Sequence, residues 1–155
     1  MKTIYCNIEN TKNTNSLDDE YYNIENQLNI FTSFCEDMDF SGNKTIKKEI
    51  CKKMSSYKSQ DKKNGKYDEK QHITYPEIIQ KLKESNLRCY YCNNKLFLMY
   101  KTRGEPLQWS LERFNNNIGH YKNNTCISCL KCNLQRRTSN HEYFKFSKNL
   151  SIVKV

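Results

Sequence analysis

Four cysteines fall into two pairs of identical spacing, Cys89-Tyr-Tyr-Cys92 and Cys129-Leu-Lys-Cys132. Two C-x₂-C knuckles supply four thiolates, the tetrahedral sulfur set that a structural zinc prefers. Such a site is closed: it leaves no position for water, so the zinc would frame the chain rather than act as a Lewis acid. A third C-x₂-C, Cys126-Ile-Ser-Cys129, overlaps the second pair. Cys126 falls on an expected strand, where a small buried side chain belongs, so Cys89, Cys92, Cys129 and Cys132 are the expected Zn²⁺ ligands. Between the pairs runs Trp109-Ser-Leu-Glu-Arg-Phe-Asn-Asn-Asn-Ile-Gly-His120, a strand-like start leading into an Asn/Gly loop, and Asn133 follows the last cysteine.

These residues resemble the zinc-bearing branch of the HNH (ββα-metal) endonucleases. That branch reads C-x₂-C, a strand like L-D-R-I-D-N, then G-H/Y, an Asn, and C-x₂-C-N. The corresponding parts are Cys89/Cys92, Leu111-Glu-Arg-Phe-Asn-Asn116, Gly119-His120, Asn124, and Cys129/Cys132/Asn133. The segment from about Ile73 to Phe146 is also similar to small HNH proteins of giant DNA viruses. The resemblance implies an α+β fold, a small zinc-stapled ββα-metal module preceded by helices. It also implies hydrolysis of DNA phosphodiester bonds with a second, harder cation, Mg²⁺ or Mn²⁺. It gives that cation to Glu112 and Asn133, and gives Asn124 the bracing of the loop.

Many relatives carry a general-base histidine where this chain has Arg113, which is then expected to contact the scissile phosphate. His120 is the remaining proton acceptor, with an ordinary pKa near 6.5. Two departures stand out. Glu112 replaces the expected Asp and adds a methylene, and Asn115 replaces a second Asp and removes a charge. A catalytically inactive zinc module that binds nucleic acid is therefore the alternative reading, and a four-cysteine protein-interaction module a third.

Composition bears on the partner. The net charge is +9, divided unevenly along the chain. Residues 1–40 hold two lysines against eight acids, residues 41–70 ten lysines against four acids, and residues 71–155 fourteen basic residues against five acidic. Everything after residue 40 thus carries +15, an electrostatic footprint for nucleic acid. All five arginines fall within the cysteine module or at its edge. Their planar forks suit phosphate oxygens and base edges, so Arg103, Arg113, Lys131, Arg136 and Arg137 are the expected DNA contacts. No apolar run approaches the roughly 18 residues needed to span a bilayer, and no signal-peptide core opens the chain. The expectation is an intracellular, non-secreted protein, in host cytoplasm or nucleus if viral. A lone module would nick one strand unless it dimerises, which leaves a homodimer open.

Three regions are expected to position these groups: an acidic, partly disordered arm over 1–40, a basic helix and linker over 41–70, and the zinc-bound module over 71–150. Within them, apolar spacing predicts a short helix over 27–40 stopped by Gly42 and a basic amphipathic helix over 44–57. A lysine-rich linker with an Asn64-Gly65 turn follows. Thr74, Pro76 and Glu77 announce a capped helix to residue 86, and Ile78, Ile79 and Leu82 should cover the module. Arg88–Leu98 reads as a knuckle and its following strand. A closing helix starts at Thr138, with Tyr143, Phe144 and Phe146 packing back. Tyr90 and Tyr91 are read as knuckle packing, His72 and His141 as packing or surface residues, and Cys6 and Cys35 as bystander thiols.

Overall fold

A two-stranded antiparallel sheet lies among five α-helices in a computed structural model that describes residues 17–155. Met1–Ser16, and Cys6 with them, lie outside the described residues. The strands β1 (Trp109–Arg113) and β2 (Thr125–Cys129) pair with Trp109 opposite Cys129 and Arg113 opposite Thr125. The chain leaves β2 directly into helix α4 (Leu130–Arg136), so the middle of the module is a strand–strand–helix unit. The class is α+β, as expected. Alternation puts Ser110 and Glu112, with Cys126 and Ser128 opposite, on one face. That face meets Asn133 and Arg136 of α4. Trp109, Leu111 and Ile127 face the other way into the core.

The preceding helices build that core. Helix α1 spans Gln27–Cys35, α2 Asn43–Lys63 and α3 Tyr75–Glu84. Phe31, Ile46, Ile50, Ile78 and Leu82 are all buried with Trp109 and Leu111. The predicted capping box is present, with Thr74 and Glu77 satisfying each other's backbone donors. Ile78 and Leu82 cover the module as their spacing requires, and Lys81 adds a bond from Nζ to the Thr125 carbonyl at 2.8 Å.

Four expectations are corrected. Helix α1 stops well before Gly42: Asp37 turns left-handed (φ 51°), and the Met38 N–H closes on the Ser33 carbonyl at 3.1 Å, a Schellman-type end. Helix α2 does not give way to a linker at residue 59 but continues to Lys63, carrying a fully buried Asp61 in its last turn. No ladder strand follows the first knuckle; among the described residues, single bridges join Arg88 to Lys95 and Phe97 to Gln108. Helix α5 spans His141–Lys148 behind an Asn140 cap, and only Phe144 packs back, edge-on to Tyr91 at 5.0 Å. Tyr143 and Phe146 are 78% and 66% exposed, so among the described residues that face of α5 has no partner.

From residue 17 the acidic arm packs onto the module. Two 3₁₀ turns, Asp19–Tyr22 and Ile24–Asn26, lead into α1, and Asp19 and Glu25 pair with Lys101 and Lys95. The anchor is Gln27, only 1% exposed. Its Oε1 accepts from the Leu98 and Met99 N–H groups at 3.0 and 2.9 Å, and its Nε2 donates to the Tyr21 and Asn23 carbonyls. Gln27→Ala strands two buried N–H groups, so we expect a loss of about 1–3 kcal/mol in urea denaturation. An unchanged midpoint would show that the arm is not docked through this amide.

Candidate functional site

The two knuckles converge. The sulfurs of Cys89, Cys92, Cys129 and Cys132 all lie within 4.8 Å of one another, close enough to hold a metal ion such as zinc. A tetrahedral zinc with bonds of about 2.3 Å places its sulfurs about 3.8 Å apart, and Cys92 and Cys129 stand at 3.9 Å. The backbone also donates to sulfur, from Cys129 to Cys89 Sγ at 3.2 Å and from Cys132 to Cys129 Sγ at 3.3 Å. Asn93 makes the tight turn of the first knuckle in the left-handed region (φ 59°). Cys129 ends β2 and caps α4, which brings Cys132 round to it. Cys126 is outside the cluster: it sits opposite Glu112 in the sheet, its sulfur 3.9 Å from Glu112 Oε2, and burial pushes its thiol pKa up.

The cysteine clamp holds up one side of an open cleft of ≈ 620 Å³ lined by β1, α2, α4 and the loop after β1. Arg103, Arg113, Arg137 and Asn133 line it. Lys52 and Lys53 of α2 join them, so the basic helix forms a wall of the same cleft. Lys53 is tied down, donating to Gln108 Oε1 at 2.9 Å and to the Trp109 carbonyl at 2.5 Å, and burial lowers its pKa to about 8. Lys131 is exposed on α4 and is not among the lining residues. Arg136 departs from expectation, being 1% exposed and engaged within the protein.

Arg136 is engaged by Glu112. Its Nε donates to Glu112 Oε1 at 2.5 Å, and its other nitrogens bond the Ser139 and Arg113 carbonyls and the Asn116 amide oxygen. The Tyr91 hydroxyl donates to Glu112 Oε2. Burial pushes the Glu112 carboxyl pKa up against these two bonds, and Tyr91, desolvated and facing a carboxylate, also rises. Asn133 lies nearby, its Nδ2 on Ser110 Oγ at 3.2 Å. The pair implied as ligands of a hard cation thus shares one cleft, but both carboxylate oxygens of Glu112 are already satisfied. As placed, Glu112 is held by Arg136 and Tyr91, and it would take a divalent cation only on release from Arg136.

The loop after β1 is held from two sides. Asn124 braces it from within: its Oδ1 accepts from Asn115 N at 2.9 Å, and its Nδ2 donates to the Asn115 and Gly119 carbonyls at 3.0 Å. Asp61 holds it from α2. One oxygen accepts the His120 backbone N–H at 2.6 Å, and the other meets His120 Nδ1 at 2.8 Å. Glycine at 119 follows from that approach, because a Cβ there would lie 2.5 Å from the Lys66 carbonyl and 2.7 Å from Asp61 Oδ2. His120 stacks on Tyr57 at 4.7 Å, and Arg113 and His72 complete the surroundings of Asp61 at 3.8 and 3.4 Å. Asp61 is the residue that the sequence reading missed. Its only sequence signal is a carboxylate among lysines at helical spacing from Tyr57.

Compared with known proteins, the chain matches no family model, no curated protein and no solved structure. Among the described residues no helix is long and apolar enough to cross a membrane.

Two predictions follow from this geometry. Cys129→Ser should abolish stoichiometric zinc in elemental analysis, whereas Cys126→Ser should retain it; the reverse pattern would reassign the cluster. The second concerns pH. Burial lowers the His120 pKa to about 4 and lowers His72 in the same direction, against the pull of Asp61. The unfolded chain, with histidine near 6.5, therefore binds more protons in this window. Stability should be full above about pH 6.5 and fall as pH drops towards about 4. His120→Asn should flatten that fall in pH-dependent urea melts, and an equally steep profile would place the titration elsewhere.

Proposed function

We propose that the protein is an HNH-type endonuclease, a metal-framed ββα module that binds DNA in the basic cleft and hydrolyses its backbone. The observation that supports this best is the presentation of His120. A neutral imidazole, held by Asp61 and stacked on Tyr57, stands at a cleft rich in cations and close to Arg113. Lys52, Arg103 and Arg137 would meet flanking phosphates, whose counterions are released on binding. Arg113 lies at the end of β1 and would neutralise charge on the phosphate under attack. His120 would take the proton of the attacking water, and Asn124 would keep its loop from moving. The family's hard cation, Mg²⁺ or Mn²⁺, would supply Lewis-acid chemistry and would require Glu112 to be freed from Arg136.

A second reading rests on Glu112 itself. With one oxygen on Arg136 and the other on Tyr91, the carboxylate can serve as structure alone. The cleft would then bind DNA without cutting it.

Both readings require affinity for duplex DNA to fall steeply with salt, with a log–log slope of about −0.9 per phosphate contacted. A flat salt response would remove both. Supercoiled plasmid separates them. Zinc-loaded protein should nick it with magnesium or manganese and stop with EDTA, and His120→Ala should slow nicking by about 10²–10⁴ while retaining DNA affinity. Salt-dependent binding with no nicking under any divalent cation would leave the binding module standing.

A further inference from the structure

We infer that Asp61 is a positioning residue that fixes the ring orientation and tautomer of His120, so that Nδ1 carries the proton and Nε2 is the base facing the cleft. The inference rests on the hydrolytic reading of that cleft. It is carried by the geometry of one fully buried carboxylate. Asp61 makes two bonds to the same residue, to the backbone N–H and to the ring nitrogen, so it sets where His120 sits and how its ring turns. A carboxylate only accepts, so Nδ1 must be the donor. A neutral imidazole has one N–H, which leaves a lone pair on Nε2.

The rest of the surroundings agrees. Among the described residues Nε2 has no partner, yet it is not among the fully buried orphan atoms, so it is the ring nitrogen through which His120, only 3% exposed, meets the cleft that it lines. Tyr57 closes one ring face at 4.7 Å and restrains its tilt, while its hydroxyl accepts the Leu111 N–H at 3.0 Å. His72 offers no competing hydrogen bond: its Nδ1 lies 3.4 Å from Asp61 Oδ2 without bonding geometry. The whole arrangement is imposed from α2. The helix runs on through Asp61, and Lys66 then ties the loop from the same side, by its Nζ to the Asn116 carbonyl and by its own carbonyl to the Tyr121 hydroxyl.

The test needs a readout that a merely structural contact would not move. In ¹⁵N-labelled, zinc-loaded wild-type protein at neutral pH, long-range ring correlations should show His120 protonated at Nδ1 and unprotonated at Nε2. A ring protonated at Nε2 overturns the assignment, whatever the activity. In Asp61→Asn the amide can turn its NH₂ to Nδ1, so the ring should switch to the Nε2–H form. Plasmid nicking should then lose about 10²–10⁴ in kcat with KM and DNA affinity unchanged. Asp61→Glu should recover part of that loss. A fall in KM terms alone, or an unchanged tautomer with unchanged kcat, also overturns the inference. If Asp61→Asn does not fold, the wild-type ring still decides the tautomer. Wild-type protein that binds DNA but never nicks it overturns the hydrolytic reading, and with it the catalytic use of Nε2, while the resonance judges the Asp61–His120 assignment by itself.

Discussion

The register of one short hairpin governs the rest of the molecule. With Trp109 opposite Cys129, every second residue of two five-residue strands is committed to a face. Cys129 arrives at the end of β2, where it joins the cluster and caps α4. Cys126 is placed against Glu112 instead. Glu112 and Arg113, adjacent in sequence, turn to opposite sides, one towards Arg136 and the other towards Asp61. A slip of one residue would exchange these assignments and bury the wrong charge on each side. Two strands are marginal by themselves, so the register depends on what clamps them: the four cysteines at one end, α4 across one face, and α2 and α3 on the other.

A second constraint is the polar content of a small interior. Glu112 with Arg136, and Asp61 with His120, are buried polar pairs near the same cleft. A buried ion pair adds little net stability, because desolvation offsets the attraction, but losing one partner costs about 3–5 kcal/mol. Such pairs therefore act mainly as specifiers of geometry here. Arg136 ties the end of α4 to β1 and to the loop through Arg113 and Asn116. Asp61 ties α2 to the far side of that loop. Between them the Gly119-His120 segment has little freedom, and the tight approach around Gly119 is the packing consequence.

Much of this was legible in the sequence wherever chemistry is local. The knuckle spacing marked the four clustered cysteines, and Thr74 and Glu77 marked the start of α3. The polar loop after β1 and the small buried Cys126 were readable from the residue pattern. What was not legible is long-range. Asp61 lies in a lysine-rich stretch whose composition resembles a linker, and nothing local shows that its carboxylate is buried against a residue 59 positions away. Arg136 looked like its neighbour Arg137, yet one is interior and the other exposed, because only one points at Glu112. Tyr143 and Phe146 show the opposite failure: three aromatic residues promised a packed face, but of the three only Phe144 meets the module, with His141 and Lys145 beside it on Phe114 and Tyr90.

The two departures from the HNH pattern that the sequence resembles are best understood together. The extra methylene of Glu112 lengthens its reach, and in this structure that reach ends on Arg136 and Tyr91, which satisfy both oxygens. Loss of the second acidic position at Asn115 leaves a neutral amide whose Oδ1 accepts from the Asn117 N–H within the loop. Glu112 still lines the cleft, its charge paired with Arg136. Arg103, Arg113, Arg137 and Lys52 stand around one imidazole in the same cleft, with Glu49 also among its lining. The carboxylate that survives beside the loop, Asp61, is on α2, behind His120 and shielded from the cleft by it. The orientation of His120 therefore depends on the helix that carries Asp61 as well as on its own loop.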